Sequence, residues 1–228
     1  MTISVTKKIL ILSYSFSGQT SCLVRRLKIG LESQGHQVVK ERIEPDKLLK
    51  FPAGSVFSCL LMMFCTLFRR RTAIKPPSDN IREYYDLIIL AGPTWSYNPS
   101  GPILYLIDHF GRQLFKGKTV LPLISCRGYW RAHWFGLRSL LKKCGAQVPN
   151  CLVFSHPCRE PWRTIGVFMK ISGQCPERSV LLRGHYDRFG HSLVQQNEAE
   201  RLGGLVGAAL KEGKPLSQLE LRSHIALP

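Results

Sequence analysis

The stretch Ser15-Phe16-Ser17-Gly18-Gln19-Thr20 collects residue types that can hold an anion without a cation. Ser15, Ser17 and Thr20 carry hydroxyl donors, and Gly18 lets the backbone approach a ligand closely. An amphipathic stretch follows, so the last amides of this loop would open a helix. Unpaired N–H groups and the helix dipole favour negative charge there. No Lys or Arg lies within the loop, so a phosphate would be held mainly by neutral donors. An ordinary polar turn with helix caps is the competing reading. Neither G-x-G-x-x-G nor G-x-x-x-x-G-K-[ST] occurs, so dinucleotide and nucleoside triphosphate fingerprints are absent.

The elements around this loop alternate. Lys8–Ser13 (KILILS) is a continuous apolar run, as a strand buried on both faces should be. Thr20–Gln34 reads as a helix with Leu23, Val24, Leu27 and Leu31 on one face and Gly35 as its stop. Gln37–Ile43 alternates like an edge strand. A strand is predicted at Tyr85–Ala91, ending in Gly92-Pro93. A helix then runs over Gly101–Phe110, with Pro102 in its first turn and Gly111 after it. Thr119–Ser125 is a strand, Arg131–Cys144 a basic amphipathic helix, and Cys151–Ser155 a fifth strand. The last helix spans Leu193–Glu212, with Ser192 and Gln195 as a capping box and Leu202, Leu205, Val206 and Ala209 as its buried stripe. This order predicts one α/β domain over residues 1–228, built on a doubly wound, five-stranded parallel sheet. Its strand-to-helix loops share one edge, where a ligand binds. Two stretches, about 47–79 and 156–190, do not fit the alternation and are read as insertions, the second following the fifth strand.

Composition narrows the function. The chain has 228 residues, 44% of them hydrophobic, which excludes global disorder. Its 32 Lys and Arg against 15 Asp and Glu give a net charge of +17 and favour anionic partners. The eight cysteines form no C-x-x-C pair and are expected as reduced thiols. The loose set His156, Cys158, Cys175 and His185 lacks standard zinc spacing, so no metal is expected. No signal peptide is read at the N-terminus, and Val56–Phe68 is shorter than the ~20 residues that span a bilayer. A cytoplasmic protein is expected, with peripheral contact to the inner face of a membrane as an option.

Taken in order, the motifs resemble the flavodoxin-like FMN-binding oxidoreductases. Ser15–Thr20, directly after an apolar strand, looks like the [ST]-x-[ST]-G-x-T phosphate loop of that family. Tyr85–Trp95, continuing Ser96-Tyr97-Asn98-Pro99-Ser100-Gly101-Pro102, resembles its third strand and following loop, and Phe115-Lys116-Gly117-Lys118 also matches. The resemblance covers most of residues 7–150. It implies FMN at the strand ends, with Ser15, Phe16, Ser17, Gly18, Gln19 and Thr20 holding the phosphate. Pro93, Thr94, Trp95, Ser96, Tyr97 and Asn98 would flank the isoalloxazine ring, with Trp95 or Tyr97 stacking on it. Ser125, Cys126, Arg127, Gly128 and Tyr129 would flank it from the other side. Two departures stand out. Electron-carrier flavodoxins are typically acidic, and Arg127 replaces the small residues common at its position. Arg127 could neutralise the flavin N1 region, bind an NADPH phosphate, point to solvent or block the site.

Three functions follow as expectations. In the first, an FMN-dependent oxidoreductase takes electrons from NAD(P)H and passes them to a quinone-like or other lipophilic acceptor. Its catalytic residues are not assigned, and a homodimer that completes the pocket is one arrangement the resemblance allows. The second is an electron carrier for a protein partner. The third is a flavin-free basic module on a membrane or nucleic acid; no helix-turn-helix, RNP or zinc-finger signature is present, which ranks nucleic acid low. Val56–Phe68, followed by Arg69-Arg70-Arg71, is expected to be the second helix of the fold, buried against the sheet. A pocket wall, a dimer contact and a membrane surface are the alternatives for it. Pro161–Ser172 is read as packing of a long excursion, with a flap over the flavin or a membrane foot as alternatives. His156 is read as structural, with a proton-donor role as the alternative.

Overall fold

The computed structural model describes residues 6–228 except 48, 181, 183 and 187. Those four positions belong to the two predicted insertions, and that part of the insertions lies outside the described residues. Three apolar runs form the centre of the sheet: β1 (Lys8–Ser13), β3 (Leu87–Trp95) and β5 (Val120–Cys126). With the edge strands β2 (Gln37–Arg42) and β6 (Leu152–Ser155) they run parallel in the order β2-β1-β3-β5-β6. A two-residue strand, β4 (Asn98–Pro99), pairs antiparallel with the end of β3.

Side-chain alternation divides the sheet between two cores. Ile9, Ile11, Leu87 and Ile89 face α1 (Gln19–Glu32) and α6 (Leu193–Glu212). Leu10, Leu12, Ile88 and Leu90 face α3 (Gly101–Phe115) and α4 (Trp130–Lys143). Full burial of Leu23, Leu27 and Leu31 on α1 is worth about 1.5–3 kcal/mol each. α6 occupies the predicted span, with the Ser192–Gln195 capping box formed and Gly213 left-handed at its end. Leu205, placed in its buried stripe, packs only partly buried against that core.

Two predicted element ends move, both because a glycine or proline serves packing rather than termination. β3 runs past Gly92-Pro93: Pro93 still pairs with Ser125, and Thr94-Trp95 turn back onto Asn98-Pro99. α3 runs through Gly111 to Phe115. A Cβ at Gly111 would lie 2.7 Å from Cys144 Sγ, so this glycine lets α3 approach the end of α4.

The larger correction concerns α2 (Val56–Leu67), expected as a core helix. Of its residues only Cys59 is buried. Val56, Phe57, Leu60, Leu61, Phe64 and Leu67, with Phe68 beyond its end, are all exposed. The helix stands away from both cores and packs beside the carboxyl ends of the strands. Pro161–Ser172 is largely helical, as α5 (Trp162–Ile171), at the same edge.

α1 and α6 meet backbone to backbone. A Cβ at Gly30 would lie 1.9 Å from Glu200 O, and one at Gly203 would lie 2.3 Å from Leu27 O. Gly204, one residue on, has no atom within 3.8 Å of its Cβ position. Gly203→Ala is therefore expected to destabilise by about 1–3 kcal/mol through overpacking. Gly204→Ala should stabilise by about 0.5–1 kcal/mol through helix propensity. Urea unfolding midpoints of the two variants check both signs.

Candidate functional site

The carboxyl ends of β1, β3 and β5 bring three loops to one cleft. The first is Tyr14–Gly18, leading into α1. Gly18 is left-handed (φ 84°) and precedes Gln19 with no side chain capping the helix. A Cβ there would meet nothing within 4 Å, so the loop is open at this point. Ser15 Oγ accepts from the Ser21 amide at 3.4 Å, whereas the Gln19 and Thr20 amides have no protein acceptor among the described residues. The first turn of α1 carries no acidic residue, which leaves its positive dipole end uncompensated.

The second loop is the β3–β4 turn. Ser96 and Tyr97 both take positive φ (43° and 68°). Trp95 sits edge-on to Tyr14 and Phe16, with ring centroids 5.7 and 5.5 Å away. Thr94 Oγ1 lies 2.6 Å from His133 Nδ1 on α4. The turn also holds α2: Ser96 Oγ donates to Met63 O, and Asn98 Nδ2 donates to the carbonyls of Thr66 and Leu67. The third loop follows β5. Ser125 Oγ lies 2.8 Å from His191 Nε2, and the Cys126 thiol is buried, pushed up to about 12 by that burial. Arg127 lies in the cleft with its guanidinium 5.2 Å from the Phe168 ring and 5.5 Å from Tyr129. At Gly128 a Cβ would meet the Arg163 guanidinium at 2.6 Å, so glycine here lets α5 lie over the loop.

Ser15, Phe16, Ser17, Gln19, Thr20, Pro93, Thr94, Trp95, Ser125, Cys126 and Arg127 line this cleft of about 110 Å³. Ser96, Tyr97 and Tyr129 line an adjoining space of about 160 Å³ that shares Trp95 and Arg127 with it. Gly18, Asn98 and Gly128 line neither; they shape or fasten the loops. Arg127 therefore reaches into the cleft rather than away from it. Sequence reading missed Phe51 and Phe189, which stack at 5.7 Å beside the first loop, and Val167 and Ile171 of α5, which wall both spaces. Val167 and Ile171 lay in a stretch already marked as apolar and basic; nothing in the sequence marks Phe51 or Phe189.

Among the solved structures similar to this chain is a flavoprotein from Lactobacillus acidophilus NCFM in complex with FMN. It has 22% identity and a TM-score of 0.50 over 64% of this chain and 92% of that one. A flavodoxin from the domain Archaea matches at 13% identity and a TM-score of 0.51, over 90% of this chain and 99% of that one. The chain has the flavodoxin-like fold. Its strand order, one edge strand before the first, is a doubly wound order whose ligand crevice lies between β1 and β3. No family model matches the chain, and no curated protein does.

Buried histidines stand behind the loops of this cleft. Burial pulls His133 down to about 3, and His156 and His191 to about 4, so all three are neutral at pH 7. His156, at the end of β6, accepts from the Cys158 amide at 3.2 Å and stacks on Tyr186. That places it as a packed, hydrogen-bonded element of the site wall. In an unfolded chain these rings titrate near 6.5. Between about pH 6.5 and 4 the unfolded state then binds more protons than the folded one. The stability of the neutral rings is fully present above about 6.5 and is lost as pH falls. Urea midpoints should drop from pH 7.5 to pH 5, and His191→Gln should shrink that drop.

Proposed function

We propose that this chain binds FMN in the three-loop cleft and acts as an oxidoreductase, passing electrons from NAD(P)H to a quinone-like or other lipophilic acceptor. The observation that carries the reading is the meeting of the Ser15–Thr20, Pro93–Asn98 and Ser125–Tyr129 loops around one cleft, where the strand order reverses between β1 and β3. The similarity to a flavoprotein solved with FMN supports it.

The donor set suits the group. Open amides and hydroxyls at the start of α1 would take a phosphate. Trp95, Tyr97 and Tyr129 offer aromatic faces and edges to a flat ring. Arg127 would supply positive charge to the ring edge or to a phosphate of NAD(P)H. The cleft is smaller than the ~300 Å³ of ordinary ligand sites, so Arg127, Val167 and Ile171, which crowd it, must give way on binding. Bound flavin supplies the hydride and electron chemistry; the chain supplies binding, orientation and exclusion of water. The buried Cys126 thiol is protonated at neutral pH and is no nucleophile in this scheme. A surface of net charge +17 would draw in the anionic NAD(P)H.

A visible spectrum after FMN addition and desalting tests the binding. Retained flavin bands are expected, as is NADPH oxidation on adding menadione. Retained flavin without NADPH turnover would favour a carrier for a protein partner, and a colourless protein would remove the flavin reading. Gly18→Asp should lose FMN, because its carboxylate repels the phosphate. Gly18→Asn, which tolerates the left-handed backbone and is neutral, should keep it. Equal flavin content in both variants would reject the phosphate loop.

A further inference from the structure

α2 is apolar on the side it turns to water as well as on much of the side it turns to the protein. At 3.6 residues per turn, Val56, Phe57, Leu60, Leu61, Phe64 and Leu67 occupy one arc of about 140°. Each of these side chains is 51–75% exposed. The opposite side, which faces the protein, carries Ser58, Cys59, Met62, Met63, Cys65 and Thr66. The exposed arc holds no polar or charged residue that would direct hydrogen bonds to a specific protein partner. A contiguous apolar face of this size marks an interaction surface.

The charges beside it are mostly of one sign. Lys47, Lys50 and Arg70 are exposed and line, with Phe57 and Leu61, a cavity of about 600 Å³ along the flank of α2. Among the described residues, none of these three cations is paired with a carboxylate. Arg71 is paired with Asp108 at 2.7 Å, and Asp46 is the one acidic residue lining that cavity. Two copies of this chain brought together through α2 would juxtapose like charges. An anionic surface complements them. The helix has 12 residues, too short to span a bilayer, and among the described residues no helix is long and apolar enough to cross one.

We propose that α2 docks this chain on an anionic lipid surface, lying in the interface plane with its outward arc in the acyl boundary and Lys47, Lys50 and Arg70 against the headgroups. The polar grip of Ser96 and Asn98 on the α2 carbonyls holds the helix to the body while its apolar side stays free. Docking does not depend on bound flavin, so it stands or falls separately from the redox reading.

The test is co-flotation of the full chain with phosphatidylcholine vesicles, with and without phosphatidylglycerol, at low and high salt. Binding is expected to the anionic vesicles and to weaken with salt. Phe57→Glu/Phe64→Glu should weaken it about tenfold or more, because the arc can no longer enter the acyl boundary. Lys50→Glu/Arg70→Glu should weaken it by about tenfold through charge. Both variants change exposed side chains, so their thermal midpoints should match the parent. Three results would overturn the proposal. They are no binding by the parent, equal binding by the Phe57/Phe64 variant, and an α2-dependent dimer in sedimentation equilibrium without vesicle binding.

Discussion

The parallel pairing of β1 with β3 sets the positions of everything that bears chemistry. Ser13 opposite Ala91 fixes the level at which β1 ends, and Ala91 opposite Leu123 extends it to β5. Parallel strands need crossovers of one hand, so each chain segment leaving this level must turn into a helix on the same edge. Three loops with little in common in sequence are thereby forced into one cleft. A one-residue slip of β1 would exchange Ile9 and Ile11 for Leu10 and Leu12 between the two cores. Register and site are therefore one constraint.

Behind the loops the structure uses neutral polar pairs instead of ion pairs. Thr94 with His133 and Ser125 with His191 each tie a loop residue to a helix or helix-leading segment. A neutral imidazole can take either role in a hydrogen bond and brings no charge that needs compensation in a buried place. Arg127 is the cation that lines the cleft.

The sheet, its order and the loops were legible because buried parallel strands write themselves as unbroken apolar runs. KILILS could hardly be anything else, and Ser192 with Gln195 marked the last helix to the residue. Gly111 misled because a glycine that admits a neighbouring helix looks the same in sequence as one that ends its own. α2 misled for a deeper reason. Apolar content says that a segment avoids water, not what it avoids water with, and VFSCLLMMFCTL was assigned to the nearest core. The pairing of Phe51 with Phe189 joins residues far apart in the chain and lies beyond any local pattern.

Gly30, Gly203 and Gly207 let the backbones of α1 and α6 touch, with Leu27 O, Glu200 O and the Gln34 side chain where Cβ atoms would stand. A side chain at Gly30 or Gly203 would push the two helices apart, and one at Gly207 would displace the Gln34 side chain. The last helix thus owes its seat to what is missing: a side chain in the first helix answered by two missing ones, four residues apart, in the last.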